Sequence, residues 1–261
     1  MNLIRLGLSA PGDGYRQLYG GPAEMALLTH PRLASLFDPA YEGYRTLNGS
    51  GSLLQVENVR QPGSFFQPRD SGALSLQATA LVDDVQVLDK TGAALYNNWK
   101  DDYSYPAGDF TYFCTFRPNG SGNYYPLGTY DADGFSVGMG TDYKPRVYAR
   151  HHTGSVMISS TADFADGRMD VVVAQYTYGD NKAKAWISGS LKIDATAAQA
   201  VNQTVRRLIV GSAYFTGTDP SGAANGKIGF AGVMAGAHPS FEPLIRAFAK
   251  ERFPTALAHV A

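Results

Sequence analysis

A single cysteine, Cys114, stands in 261 residues. One thiol forms no disulfide within the chain and supplies no cysteine metal site. Set in Phe113-Cys114-Thr115-Phe116, it reads as a small buried core residue. Charge is scarce too. Asp, Glu, Lys and Arg make up 17% of the chain, with a net charge of −1, against about 25% in ordinary soluble domains. No basic field exists to hold nucleic acid or an anionic lipid surface, and neither is expected as a partner. Long apolar runs are missing, so no transmembrane helix and no membrane insertion are expected. The first residues, MNLIRLGLSAPGDG, carry one Arg and a brief apolar patch broken at Pro11. That is too little for a secretory signal peptide, so synthesis and folding in a cytoplasm are expected. No nucleophile elbow, P-loop or dinucleotide fingerprint occurs.

What the chain has instead is turn and aromatic material: 29 Gly, 14 Pro, 16 Tyr and 13 Phe. Many turns and many aromatics suit many short strands. The clearest stretch is Gly167–Ile193. Residues 169–176 are apolar on both sides of a period-2 pattern, as in a strand buried between two layers. Residues 178–182 are a turn cluster. Ala183, Ala185 and Ile187 alternate with Lys182, Lys184 and Trp186, and a tight Ser188-Gly189-Ser190 turn leads to a short return strand. Further strands are expected at 53–59, 73–80, 82–88, 109–116, 124–130, 135–139, 146–150, 156–159, 206–211 and 227–235, with a loop at 216–225. One helix is expected near the end, with Ser240 as its cap, Pro243 in its first turn and Leu244, Ile245, Phe248 and Phe253 as its stripe. Residues 1–50 read differently. Met25, Leu28, Leu33, Leu36 and Phe37 fall at roughly helical spacing, interrupted by Pro31. This segment has too little apolar material to fold alone, so its apolar face needs cover from the main domain or another chain. The pattern therefore predicts an N-terminal arm or docking segment over 1–50 and an antiparallel β-sandwich over 51–261.

The order of these strands resembles a family. Asp109–Pro118, DFTYFCTFRP, is similar to the "FTISAWVKP" strand of concanavalin A-like jelly rolls of the laminin-G-like type. Residues 168–193 resemble that family's "WHHVAVTYDG…LYVNGKL" hairpin. RLIVGS at 207–212 resembles "LYIGRS", and GKIGFAG at 226–232 resembles "GKIDEVRIY". The likeness runs over about residues 70–253. It implies an all-β, two-sheet antiparallel jelly roll with an irregular N-terminal arm and a short C-terminal helix. The chain departs from the pattern at Gly167-Arg168-Met169-Asp170, at Ser188-Gly189 and at Gly229, where the family usually has Trp-His-His, Asn-Gly and an acidic residue. Lectins, adhesion modules, glycan hydrolases and virus particle proteins share the fold, so the fold alone does not choose a function.

Glycan hydrolysis requires two carboxylates flanking one bond. The alternating acidic pattern of the family's hydrolases is absent. Asp163, Asp166 and Asp170 are clustered, but the first two fall in a turn, and the pairs Asp83-Asp84 and Asp101-Asp102 would point to opposite faces if extended. No enzyme activity is expected. Asp131-Ala132-Asp133-Gly134 opens like a calcium loop, with Asp142 and Asp219 as candidates to complete it, but it is equally good turn chemistry. No other cofactor is expected. His151 and His152 are sequential, so on a strand they face apart. Tyr124, Tyr125, Tyr130, Tyr143 and Tyr148, with Arg146, are the candidate ligand residues, because aromatic faces beside planar polar groups are what sugar rings need. Packing explains the same residues. The fold usually works outside cells, while this chain shows neither a secretion signal nor disulfides. The expectation is therefore a structural protein of a virus particle, tail- or capsid-associated in a bacteriophage, which reaches the exterior by assembly and lysis. Its partners would be other virion proteins or symmetry-related copies, and a surface polysaccharide. A carbohydrate-binding adhesion module is the alternative, and a glycan hydrolase the third reading.

Overall fold

The computed structural model describes residues 21–47, 49, 53–68, 79–91, 99–101, 108–129, 134–149, 155–198, 200–201, 208–212, 214–216, 219–221 and 224–261. The described chain runs α1 (Pro22–Leu28), β1 (Leu33–Phe37), a single 3-10 turn (Glu42–Tyr44), β2 (Arg45–Leu47), β3 (Leu53–Glu57), β4 (Phe65–Pro68), β5 (Thr79–Val82), β6 (Val85–Asp89), β7 (Trp99–Asp101) and β8 (Phe110–Pro118). It continues as β9 (Tyr124–Thr129), β10 (Phe135–Met139), β11 (Pro145–Ala149), β12 (Ser155–Ile158), β13 (Asp170–Thr177), β14 (Lys182–Ile187), β15 (Ser190–Thr196), β16 (Leu208–Val210), β17 (Tyr214–Thr216), β18 (Asp219–Ser221), β19 (Gly226–Ala235) and α2 (Phe241–Arg252).

Two antiparallel sheets face each other. The eight-stranded sheet has the order β15-β14-β13-β8-β19-β6-β5, with β1 added beside β19; the nine-stranded sheet runs β12-β11-β10-β9-β16-β7-β4-β3-β2. Between them lies one apolar core, to which β8 contributes Phe110, Tyr112, Cys114 and Phe116, β13 Val172, Ala174 and Tyr176, and β10 Phe135, Val137 and Met139. This is the expected jelly-roll sandwich, and Cys114 is buried within it as a free thiol.

A third layer explains why β13 is apolar on both sides. Met169, Val171 and Val173 point away from the sandwich core into a second cluster with Leu27 and Leu28 of α1 and Ile245, Phe248 and Ala249 of α2. Each large side chain buried there contributes about 1.5–3 kcal/mol. The outer face of the eight-stranded sheet is thus covered by helices. The helix layer also explains one departure from the family pattern. A Cβ at Gly229 would stand 2.4 Å from Thr115 Oγ1 and 2.5 Å from Phe253 Cζ, so Phe253 occupies the space an acidic side chain would need. At a second departure, Ser188 and Gly189 take positive φ (48° and 90°) and close the β14–β15 hairpin as an Asn-Gly pair would. Ser240 precedes α2, but its side chain does not cap the helix; its Oγ lies 2.7 Å from His238 Nδ1 instead.

Leu33–Phe37 and Arg45–Leu47, assigned to the arm by sequence, are strands of the two sheets. Leu33–Phe37 reads as helical by its spacing, yet all five residues are buried in β1, which pairs with the C-terminal half of β19. A strand buried on both faces shows no alternation, and its leucines imitate a helical repeat by chance. Arg45–Leu47 is β2, the edge of the nine-stranded sheet. The cover that this segment needs comes from the main domain. Residues 1–20 lie outside the described residues.

The segment is also tied to α2 by buried charge. Arg252 Nη2 donates to Asp38 Oδ2 at 2.9 Å and to Glu24 Oε1 at 3.3 Å. The Tyr41 hydroxyl donates to Glu24 Oε1, and the Arg252 guanidinium lies 4.6 Å from the centre of the Tyr41 ring. Burial pushes the Asp38 carboxyl up to about 6, against the opposing pull of Arg252.

Candidate functional site

With helices over one sheet, the outer face of the nine-stranded sheet is the sheet surface left to carry a ligand. Its chemistry gathers on β9, β10, β11 and β12. Phe135, Val137 and Met139 of β10 point into the core, so Ser136 and Gly138 point out. Register then aligns two rows across the strands: Ser136–Tyr148–Val156 and Gly138–Arg146–Ile158. Val156 and Ile158, at 42% and 51% exposure, extend the rows to the sheet edge.

A bulge places Tyr125 on this side of the sheet, where it is buried beside Tyr148. Leu127 pairs with Val137 and Tyr124 with Met139, so β9 holds one more residue than β10 between these points. Tyr125 and Pro126 both lie opposite Gly138, and proline, with no N–H to give a ladder, suits a bulge. A Cβ at Gly138 would stand 2.7 Å from Tyr125 Cδ1, and one at Gly140 would stand 2.1 Å from Arg146 Nε. The two glycines therefore let the Tyr125 ring and the Arg146 guanidinium lie flat against the backbone. Tyr125 meets Tyr148 edge to face, with ring centres 5.1 Å apart and planes at 69°.

The polar groups of this shelf are only partly committed. The Tyr125 hydroxyl and Arg146 Nε are both buried, and neither has a hydrogen-bond partner of ordinary geometry among the described residues. Burial, with the neighbouring Tyr148 adding to it against the opposing pull of Arg146, pushes the Tyr125 phenol well up. Arg146 Nη2 reaches Asp142 Oδ1 at 3.4 Å, and Lys144 Nζ lies 3.9 Å from Asp142 Oδ2. The Asp142 carboxyl is held below the usual carboxylate range: a slight loss of solvation is outweighed by the Lys144 amide, its own amide and Arg146.

Of the six candidate ligand residues, Tyr125, Arg146 and Tyr148 share this outer face. Tyr124 and Tyr143 do not. Both pack against the sandwich core, and the Tyr124 hydroxyl is bonded to Ser121 O and Asn225 Nδ2. Tyr130, Asp131, Asp133, His151 and His152 lie outside the described residues, as do Asp102 and residues 73–78 of an expected strand. Asp142, a candidate to complete a calcium site, is instead engaged with Lys144 and Arg146; Asp219 falls in β18. Among the described residues no group of three or more His, Cys, Asp or Glu side chains is placed to hold a metal ion. Gly138, Gly140, Val156 and Ile158 are not singled out by sequence. The alternation of Val156, Met157 and Ile158 marks a strand, but not which face is open.

Four other carboxylates among the described residues, Asp83, Asp163, Asp166 and Asp170, are engaged within the fold. Asp83 and Asp84 are not extended; they take positive φ (50° and 61°) in the β5–β6 turn. Asp83 Oδ2 accepts from the amides of Thr255 and Ala256. Asp163 pairs with Lys192 at 2.7 Å, and Asp166 accepts from the Gly120 amide at 2.6 Å. Asp170 is fully buried among Arg168, Ser188 and His259.

No family model matches the chain, and neither does any curated protein sequence. Solved structures do resemble it. A Trypanosoma rangeli sialidase in complex with 2,3-difluorosialic acid superposes with a TM-score of 0.53 at 11% identity, over 87% of this chain and 33% of that enzyme. The carbohydrate-binding module CBM40 of a Ruminococcus gnavus IT-sialidase, bound to α2,3-sialyllactose, gives 0.46 at 11% identity over 54% of this chain and 83% of its own. A heptameric SAP-like pentraxin from Limulus polyphemus gives 0.49 at 11% identity over 62% and 79%. At such identities the likeness speaks for the sandwich fold alone. Among the described residues no helix is long and apolar enough to cross a membrane.

Proposed function

We propose that this chain is a non-catalytic carbohydrate-binding sandwich that reads a saccharide on the outer face of its nine-stranded sheet, at Arg146 and Tyr148. One observation carries the reading. The part-exposed Tyr148 shares its face of β11 with the Arg146 guanidinium, is braced edge to face by the buried Tyr125, and is flanked by the exposed Val156 and Ile158. A sugar offers what such a surface can bind, namely an apolar ring face and hydroxyl oxygens. Hydrolysis is not proposed, because the shelf's carboxylate, Asp142, is engaged with Lys144 and Arg146. Among the described residues no contact favours the particle-assembly role.

The test is a glycan array probed with the intact chain, followed by calorimetry on the hits. Tyr148→Ala and Arg146→Gln should each weaken binding at least tenfold while circular dichroism stays unchanged. Tyr125→Phe removes a buried hydroxyl and serves as the control, leaving binding nearly unchanged. Binding that survives both Tyr148→Ala and Arg146→Gln would place the sugar elsewhere. An array without a hit would remove the reading.

A further inference from the structure

The charge on the shelf narrows the ligand. Arg146 is largely buried, with 19% of its side chain exposed. Its Nε is buried against Gly140, and the rest of the planar guanidinium fork carries charge-assisted donors suited to an oxyanion. Asp142 meets that fork weakly, reaching Nη2 at 3.4 Å, the long end of a hydrogen bond. The other Asp142 oxygen lies 3.9 Å from Lys144 Nζ. Two cations thus share one carboxylate at long range, and the three side chains together carry one net positive charge. Asp142 is itself exposed, at 42%. It sits in the turn between β10 and β11, where Tyr143 takes a φ of 57° and Asp142 Oδ1 accepts from the Lys144 amide at 3.3 Å. Position and geometry make it a weak, replaceable occupant of the Arg146 fork.

We infer that the shelf selects an acidic saccharide, one bearing a carboxylate or sulfate, and that this oxyanion displaces Asp142 from Arg146 Nη2. The inference rests on the carbohydrate reading above and adds the ligand class and an internal competitor. In this arrangement the sugar ring lies on Tyr148, which the buried Tyr125 braces edge to face, its oxyanion reaches Arg146, and Lys144 faces the same charge from the turn.

The test measures binding of the full chain to three probes by calorimetry: a uronic-acid disaccharide, its neutral parent, and a sulfated derivative of that parent. At least one acidic probe should bind tenfold or more tightly than the neutral parent, and the preference should shrink as salt rises. The two acidic arms separate a carboxylate-reading fork from a sulfate-reading one. Asp142→Asn, checked for an unchanged melting temperature, should tighten the acidic probe about three- to tenfold. Arg146→Gln should abolish the preference. Equal affinity for neutral and acidic probes would overturn the inference and leave the carbohydrate reading standing. Weaker acidic binding in Asp142→Asn would also overturn it, since Asp142 would then be positioning Arg146. Failure of all three probes, with no hit on the array, would remove both.

Discussion

Replacing Arg252 with Met removes the guanidinium that Glu24 and Asp38 share. All three side chains are almost fully buried, at 2–3% exposure or less. Taking one partner from a buried ion group strands the others, at a cost of about 3–5 kcal/mol. That is a large part of the roughly 5–15 kcal/mol by which domains are stable. Urea unfolding should show a loss of this size. Adding Glu24→Gln and Asp38→Asn to Arg252→Met should return most of it, because the stranded charges are then gone. Hydrogen exchange should place the loosening at α1 and β1, the elements next to Glu24 and Asp38. The same cluster sets a pH dependence. The folded state raises the Asp38 carboxyl from 3.8 to about 6, so it holds the proton more tightly than the unfolded chain does. The stability this gives is complete below about pH 4 and is lost as pH rises to about 6. A rise of that size corresponds to about 3 kcal/mol. Asp38→Asn should flatten that part of the profile. A loss below about 1 kcal/mol in Arg252→Met, well under the cost of stranding a buried charge, or an unchanged profile in Asp38→Asn, would refute the account.

Two further outcomes test the core and the shelf. Cys114 is fully buried and its thiol is pushed well up by burial, so a thiol reagent should label it only on unfolding; fast labelling of the native chain would contradict the sandwich core. Gly138→Ala would set a Cβ 2.0 Å from Tyr124 O and 2.7 Å from Tyr125 Cδ1, which should cost about 1–3 kcal/mol and disturb saccharide binding. Gly179→Ala, where a Cβ meets nothing within 4 Å, serves as the control and should stay within about 0.5 kcal/mol.

Strand positions are legible wherever one face is polar or a turn punctuates the chain. Phe135–Met139 has the bounds its sequence predicts, and the Gly167–Ile193 hairpin appears with its turns in place. Alternation of side chains is a local property, so local sequence carries it. β1 reads wrongly from sequence because burial on both faces erases alternation. β4 and β7 are too short to show a period, and neither is anticipated. Arg146 and Tyr148 share a face because they are two residues apart on one strand, which sequence does encode. Tyr124 and Tyr125 look equivalent as neighbours in one aromatic run. The strand packs one against the sandwich core and buries the other beside Tyr148.

By itself, then, the sequence determined the sandwich class, the hairpin and the closing helix, since period and turn chemistry act over a few residues. Only the tertiary structure decided which sheet face stays open. That depended on where the helices dock, on residues 33–47 joining both sheets, and on Arg252 meeting Glu24 and Asp38 across more than 200 positions of chain. The shelf itself arises from register between β9, β10, β11 and β12. Register is a relation between strands, and no single segment contains it.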